Sequence, residues 1–212
     1  MNKFQNLFDD LFAKHGSQGW WPVTPQSCHN DDPKPIYGLL GKSEKQKLEI
    51  IFGAILTQNT SWKNVEKAII ELNKRDLIDI EKILKLRMDE LGAVIRSSGY
   101  YNQKAKKLKE ICTFLKKYPI AKLEKMDLLE VRKLLLAISG IGPETADSIL
   151  LYALEKPVFV VDTYTRRLLL KEGWIDEKDS YDEIQKLFMD ALPDDPQLFN
   201  EFHALIVSEN KH

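Results

Sequence analysis

Cysteine is nearly missing. Cys28 and Cys112 are the only two in 212 residues, too few for a disulfide framework, a four-cysteine zinc site or a complete cysteine-ligated iron–sulfur cluster. Cys28 and its neighbour His29 are also too few for a metal site by themselves. Long apolar runs are missing as well: stretches such as Val158-Phe-Val-Val161 are short, and Asp9 and Asp10 stand where a signal peptide would need an apolar core. A soluble intracellular protein, cytoplasmic and with no membrane contact, is expected. Neither sign of charge dominates, since 31 Lys and Arg oppose 32 Asp and Glu for a formal net charge of −1. Any polyanion site must therefore arise locally. What the chain does have, 43% hydrophobic and 30% charged residues, is enough for a buried core in one domain or two small lobes.

Charge is unevenly placed. Over 103–133 ten Lys or Arg stand against four Asp or Glu, and over 172–201 two stand against ten. This builds either a basic face on a neutral molecule or ordinary solvated helix faces. The apolar periodicity is helical almost throughout. Phe4, Leu7, Phe8, Leu11 and Phe12 mark one face of an opening helix ended by Gly16. A Gly- and Pro-rich loop follows over 17–43, where Pro22, Pro25, Pro33 and Pro35 leave no helix of useful length. Helical patterns then run over 44–56, 62–74, 80–86, 88–96, 103–118, 128–138, 144–154, 163–172, 181–192 and 196–208. Residues 158–161 look strand-like but are expected to form a buried connection leading to Asp162.

One segment is more specific. Leu134-Leu-Leu-Ala-Ile-Ser-Gly-Ile-Gly-Pro-Glu-Thr-Ala-Asp-Ser-Ile149 reads as a helix, a tight Gly-x-Gly turn and a second helix opening near Pro143. Gly140 and Gly142 permit positive φ and close approach of another backbone. Amides of Gly140, Ile141, Gly142 and Thr145 at the positive helix end would form a phosphate site that holds a nucleic-acid backbone without reading its sequence. An ordinary Gly-capped connection is the alternative. Eighteen residues after Glu144, Asp162 is delivered to the start of Thr163-Tyr-Thr-Arg-Arg167, where it reads as an N-cap with or without a catalytic role.

Ser139-Gly-Ile-Gly-Pro-Glu-Thr-Ala-Asp147 followed by Val161-Asp-Thr-Tyr-Thr-Arg166 resembles the helix-hairpin-helix plus Gly/Pro…Asp signature of the endonuclease III superfamily of DNA glycosylases. Gly19-Trp-Trp-Pro22, Gly53-Ala-Ile-Leu-Thr-Gln-Asn-Thr60, Ser98-Gly-Tyr-Tyr-Asn-Gln-Lys-Ala105 and Asn200-Glu-Phe-His-Ala-Leu-Ile-Val207 resemble its endonuclease III-type 3-methyladenine branch, all in order. The resemblance implies an all-α, two-lobe fold with the DNA cleft between lobes. Residues 47–165 would form a helical bundle carrying the hairpin, and 1–46 with 166–212 the second lobe.

The resemblance also implies the chemistry. Asp162 matches the catalytic aspartate, a fixed anion beside the oxocarbenium character that develops as a glycosidic bond breaks. Glu144 stands where strand-cutting relatives place a Schiff-base lysine, so monofunctional hydrolysis with water as nucleophile is expected; Lys104 and Lys133 are not placed by spacing beside the scissile bond. Gln58 and Asn59 would fill the gap left by a flipped nucleotide, with Tyr100 wedging the opposite strand. Trp20 and Trp21 offer an electron-rich surface for an alkylated, positively charged purine, and Glu144 and Lys211 would border the same pocket. Leu48 and Leu205 replace an aromatic and a lysine of one cluster-free relative. The family's Cys-rich iron–sulfur loop would begin just after Asn210-Lys-His212, so no cluster is expected in this chain, either because the branch has lost it or because the sequence is truncated there. The backbone carbonyls of Leu136, Ile138 and Ile141 would hold a K⁺ or Na⁺; no other cofactor is expected. The expected partner is double-stranded DNA with a damaged base, bound by a monomer. A glycosylase for oxidised pyrimidines or mismatched thymine, and a non-catalytic DNA-binding protein, are the alternatives.

Overall fold

Side-chain caps start most of the helices in the computed structural model, which describes residues 2–26, 33–39 and 42–210. Lys211, Cys28 and His29 lie outside the described residues. Asn2 caps α1 (Lys3–His15), and a reciprocal Ser43–Gln46 capping box opens α2 (Glu44–Leu56). Then come α3 (Trp62–Lys74), α4 (Ile80–Lys85) capped by Asp79, α5 (Met88–Val94), a 3₁₀ turn Arg96–Ser98, and α6 (Tyr101–Lys117). Next are α7 (Ile120–Leu123), α8 (Leu128–Leu136) capped by Asp127, and α9 (Pro143–Ser148) with Pro143 in its first turn. Helices α10 (Thr163–Lys171), α11 (Tyr181–Ala191) and α12 (Pro196–Glu209) are capped by Asp162, Ser180 and Asp195. No strand occurs among the described residues; Val23 and Ile36 pair only as one antiparallel bridge closing the loop after α1.

The expected helices are present, with two differences. The single turn of α7 was not anticipated, being too short to display a period. The second hairpin helix does not continue as α to Leu154 but passes into a π-helical turn, Ile149–Ala153. That extra residue rotates Tyr152 relative to a regular helix, and such turns are frequent at functional sites.

Helix α2 is the centre of the molecule. From Leu48 to Leu56 every residue is buried, as a helix apolar all round must be, and it packs against α3, α6, α7, α9 and the π turn. The chain ends meet where α1 packs on α12, and α10 packs on α12 as well. Residues 158–161 form the expected buried connection: Phe159 stacks on Phe188 with centroids 3.7 Å apart and meets Phe199 and Phe202 edge-on. A polar node braces the same connection. Asp147, fully buried, accepts from Arg132 Nε at 2.8 Å and from Gln185 Nε2 at 2.7 Å, and Gln185 also donates to the Phe159 carbonyl at 2.6 Å. The hairpin helix is thereby tied to α8, α11 and the segment that carries Asp162.

Candidate active site

The buried run before it fixes the direction from which Asp162 enters. Its backbone is extended (φ −107°, ψ −175°), and its Oδ1 accepts the Thr165 N–H at 2.7 Å. Oδ2 faces His203, whose Nε2 lies 3.5 Å away, an ion-pair distance rather than a formed hydrogen bond. Burial by itself pushes the Asp162 carboxyl up, but the charge of His203 and the Thr165 N–H outweigh it and hold the group below the ordinary carboxylate range. Asp162 is thus ready as an anion.

Glu144, in the first turn of α9, is the second carboxyl. Its surface is open, yet the protein around it strips solvent from the carboxyl and Asp162 repels its charge; both push its pKa up, against the pull of His203. The two acids therefore shift in opposite directions: the surroundings lower the Asp162 pKa and favour its ionised form, and they raise that of Glu144. His203 and Tyr152 complete this group. The Tyr152 hydroxyl lies 2.5 Å from His203 Nδ1, both side chains being buried. Sequence reading missed the pair, although one signal was there: His203 shares an apolar helix face with Phe199, Phe202 and Ile206, all buried.

The tryptophan loop is fastened by carboxylates at both ends. Glu201 of α12 accepts the Gln18 N–H at 2.5 Å, and buried Glu49 of α2 accepts the Thr24 N–H at 2.7 Å and Asn73 Nδ2 at 2.7 Å. Gly19 sits at φ +61°, where a Cβ would stand 2.8 Å from the Gly38 nitrogen, so no other residue fits. Of the adjacent tryptophans, Trp21 is core: it is 5% exposed and lies over Gly53 and against Tyr152. Trp20 is half-buried, with Trp21 and Trp62 at 4.9 Å and Tyr37 at 6.0 Å. Trp62, which opens α3, was not anticipated. Leu48 and Leu205 are both buried.

Asn59 and Tyr100 project from two neighbouring turns. Both are exposed, Tyr100 by 65%, and both are non-glycine residues at positive φ, 53° and 46°. Left-handed backbone at such residues is strained and gathers at functional positions. Buried Lys104 joins the turns: its Nζ donates to the Leu56 carbonyl at 2.8 Å and to the Ser98 carbonyl at 2.6 Å. Burial and the charge of Lys107 lower its pKa to about 8. An ammonium so enclosed cannot reach a sugar, and Lys133 is exposed on α8.

Gln58 is placed differently from its neighbour. Its Nε2 donates to the Gly140 carbonyl at 3.1 Å and to Thr145 Oγ1 at 2.9 Å, and its Oε1 accepts from Lys107 Nζ at 2.5 Å. The side chain thus bridges the turn after α2 to the hairpin, where Thr145 is buried. Gly140 takes positive φ (+81°), and a Cβ there would collide with Lys107 Cε. Gly142 does not follow the expectation of positive φ: its φ is −93°. A Cβ on it would meet nothing within 4 Å, so the open side next to the α9 N-terminus, rather than backbone strain, distinguishes that position. Ile141 is largely buried, and its N–H is taken by the Ile138 carbonyl at 3.1 Å. Among the described residues no group of three or more His, Cys, Asp or Glu side chains could hold a metal, and no helix is long and apolar enough to cross a membrane.

A family model for the HhH-GPD superfamily of base excision DNA repair proteins matches residues 52–194, which include Gln58, Tyr100, the hairpin and Asp162. Over 99% of this chain and 89% of the relative, the sequence is 43% identical to the Putative DNA repair glycosylase of Methanocaldococcus jannaschii. It is 28% identical to Endonuclease III of Thermotoga maritima over 72% of this chain and 68% of that protein. The crystal structure of the Helicobacter pylori 3-methyladenine DNA glycosylase bound to 1,N6-ethenoadenine superimposes with a TM-score of 0.74 and 29% identity, covering 100% of this chain and 99% of that one. The hairpin, the carboxylate that follows it and the match across both belong together: the chain is a member of the HhH-GPD superfamily of base excision DNA repair proteins.

Proposed function

We propose that the protein is a monofunctional DNA glycosylase that hydrolyses the N-glycosidic bond of an alkylated purine, using Asp162 and a water molecule. The carrying observation is the division of labour between two carboxyls: Asp162, held ionised at the α10 N-terminus, and Glu144, which takes the hairpin position where a lysine would be needed for strand cutting. Asp162 stabilises the positive charge that develops on the sugar and accepts the proton of the attacking water. The water oxygen bonds to C1′, and the C1′–N bond breaks with its electron pair going to the base. For an alkylated purine that pair neutralises a cation, so the leaving group needs no strong acid. Trp20 supplies an aromatic face for such a cation, and similarity over the full length to a 3-methyladenine glycosylase supports the same choice.

In this reading the duplex lies along the hairpin and the two wedge turns. The Gly140, Ile141, Gly142 and Thr145 segment approaches phosphate, Asn59 and Tyr100 enter the stack, and Gln58 must leave its hairpin bonds to join them. A monovalent cation held by the carbonyls of Leu136, Ile138 and Ile141 would add positive charge there; the Ile138 oxygen, already accepting from Ile141, keeps a second lone pair for it. Duplex binding is expected to be nearly independent of sequence and to weaken about 1,000-fold between ~50 and ~200 mM salt if ~6 phosphates are neutralised. A flat salt response in fluorescence anisotropy would move the DNA surface elsewhere.

Strand cutting separates this reading from a bifunctional one. A duplex carrying one alkylated purine should release free base yet stay whole until alkali is added, and borohydride should trap no protein–DNA adduct, because glutamate forms no Schiff base. Efficient trapping by the unmodified protein would assign the chemistry to a lysine, with Lys107 beside Gly140 the first to replace, and the monofunctional reading would fall.

A further inference from the structure

We propose that His203, held by Tyr152, is a positioning residue for Asp162 that fixes the direction of the carboxylate oxygen facing the reaction, a role that rests on the reading of Asp162 as the catalytic carboxylate. The two oxygens of Asp162 are not equivalent. Oδ1 is committed to the Thr165 N–H, and Oδ2 has His203 Nε2 at 3.5 Å. That nitrogen is buried and makes no hydrogen bond to any described residue, while Nδ1 on the other side of the ring meets the Tyr152 hydroxyl at 2.5 Å.

Burial and the charges of Asp162 and Glu144 push the Tyr152 hydroxyl well above the usual range, so it stays protonated and can serve Nδ1 in either ring state. In the neutral ring that accepts at Nδ1 the hydroxyl donates and the ring hydrogen sits on Nε2; in the protonated ring the hydroxyl accepts from Nδ1. In both states Nε2 carries a hydrogen on the side of Asp162. Tyr152 reaches Nδ1 from the π turn, and His203 comes from the opposite chain end on α12, so three separated stretches of sequence converge on one carboxylate. Packing alone does not explain an imidazole here. The face it shares with Phe199, Phe202 and Ile206 would take an apolar side chain, and a buried polar ring with one nitrogen unpaired costs stability.

The ionisable groups facing His203 are Tyr152 from the π turn, Asp162 from the α10 N-cap and Glu144 from α9. With two carboxyls in reach, protonation of the ring places a cation between them and favours the ionised form of Asp162. The acid limb of the rate profile should then depend on His203. The decisive comparison uses His203→Leu, His203→Gln and Tyr152→Phe in the full chain. The Gln amide keeps a donor near the Nε2 position without a charge; Leu keeps neither.

Single-turnover excision from an alkylated duplex, followed from about pH 5 to 9, is expected to fall roughly 10- to 100-fold in His203→Leu, the scale of a mispositioned reacting group. His203→Gln should recover much of that loss, yet both variants should move the acid limb to higher pH, with duplex affinity unchanged. Tyr152→Phe should give a smaller change in the same direction. A carbon-13 titration of the Asp162 carboxyl in the free protein supplies a readout that needs no activity: its midpoint should rise in His203→Gln. An unchanged midpoint, or a Leu variant that binds DNA with the wild-type rate and acid limb, would overturn the proposal. If the wild type releases no alkylated purine while the midpoint still rises, His203 positions Asp162 and only the substrate reading fails. Should His203→Leu not fold, the Gln variant decides both measurements.

Discussion

Asp162→Asn is expected to lower base excision by about 100- to 1,000-fold, the scale seen when one electrostatic stabiliser of a transition state is removed, while duplex affinity stays within a few-fold. The substitution isolates charge. Asn caps a helix about as well as Asp, so the bond from the Thr165 N–H and the start of α10 survive, and thermal stability at neutral pH should shift little. Only the anion is lost, and with it the two parts proposed for it, the counter-charge to the sugar and the acceptor for the water proton. The sign of the pH effect follows from the depressed pKa of Asp162. A carboxyl whose folded pKa lies below its unfolded value adds stability that is present above the unfolded pKa and is lost as pH falls through the folded one. The wild type should therefore lose a small stability advantage over Asp162→Asn in acid and none at pH 7 to 8. Single-turnover kinetics and anisotropy on the same duplex check the main expectation; excision within a few-fold of wild type would remove Asp162 from the chemistry.

Asp147→Ala should cost about 3–5 kcal/mol of folding stability, the range for stripping one partner from a buried ion pair. The carboxylate is fully buried, and three donors converge on it: Arg132 Nε and a second Arg132 nitrogen, at 2.8 and 3.1 Å, and Gln185 Nε2 at 2.7 Å. Arg132 cannot escape by losing its proton, since Asp147 raises its pKa still further. Its remaining partner, Asp182, lies 2.9 Å away but is exposed and screened. Urea unfolding followed by circular dichroism measures the difference. A loss below about 1 kcal/mol would show that Arg132 and Gln185 re-pair without Asp147.

Much of this architecture can be read from residue order because its causes are local. Ser43 with Gln46 and Ser180 with Glu183 start helices by bonding within four residues, and the apolar spacing over 44–56 already marks a helix. The hairpin and Asp162 were legible for the same reason, being a turn and a cap. What stayed hidden depends on distant parts of the chain meeting. No spacing rule links Tyr152 to His203 or Lys104 to the Leu56 carbonyl, and the π turn that aims Tyr152 leaves no period. Adjacent tryptophans could be expected to divide between core and surface, but only the missing side chain at Gly53, far along the sequence, decides that Trp21 is the one inside. The inward bonds of Gln58 were invisible as well, because a glutamine in a turn carries no sign of its partners.

Lys104 sets the spacing of the two exposed turns that carry Asn59 and Tyr100. One nitrogen serves the carbonyls just ahead of both exposed turns, so Asn59 and Tyr100 cannot separate without leaving a donor and an acceptor unmatched in the interior. The fastening also outlasts the charge: an amine retains two N–H groups for two carbonyls, so losing a proton near pH 8 leaves the wiring whole. The interval between Asn59 and Tyr100 is therefore a built-in length of the folded chain. In the proposed reading, where both enter the stack, that length is set before DNA arrives, and the nucleic acid, rather than the protein, would deform to match it.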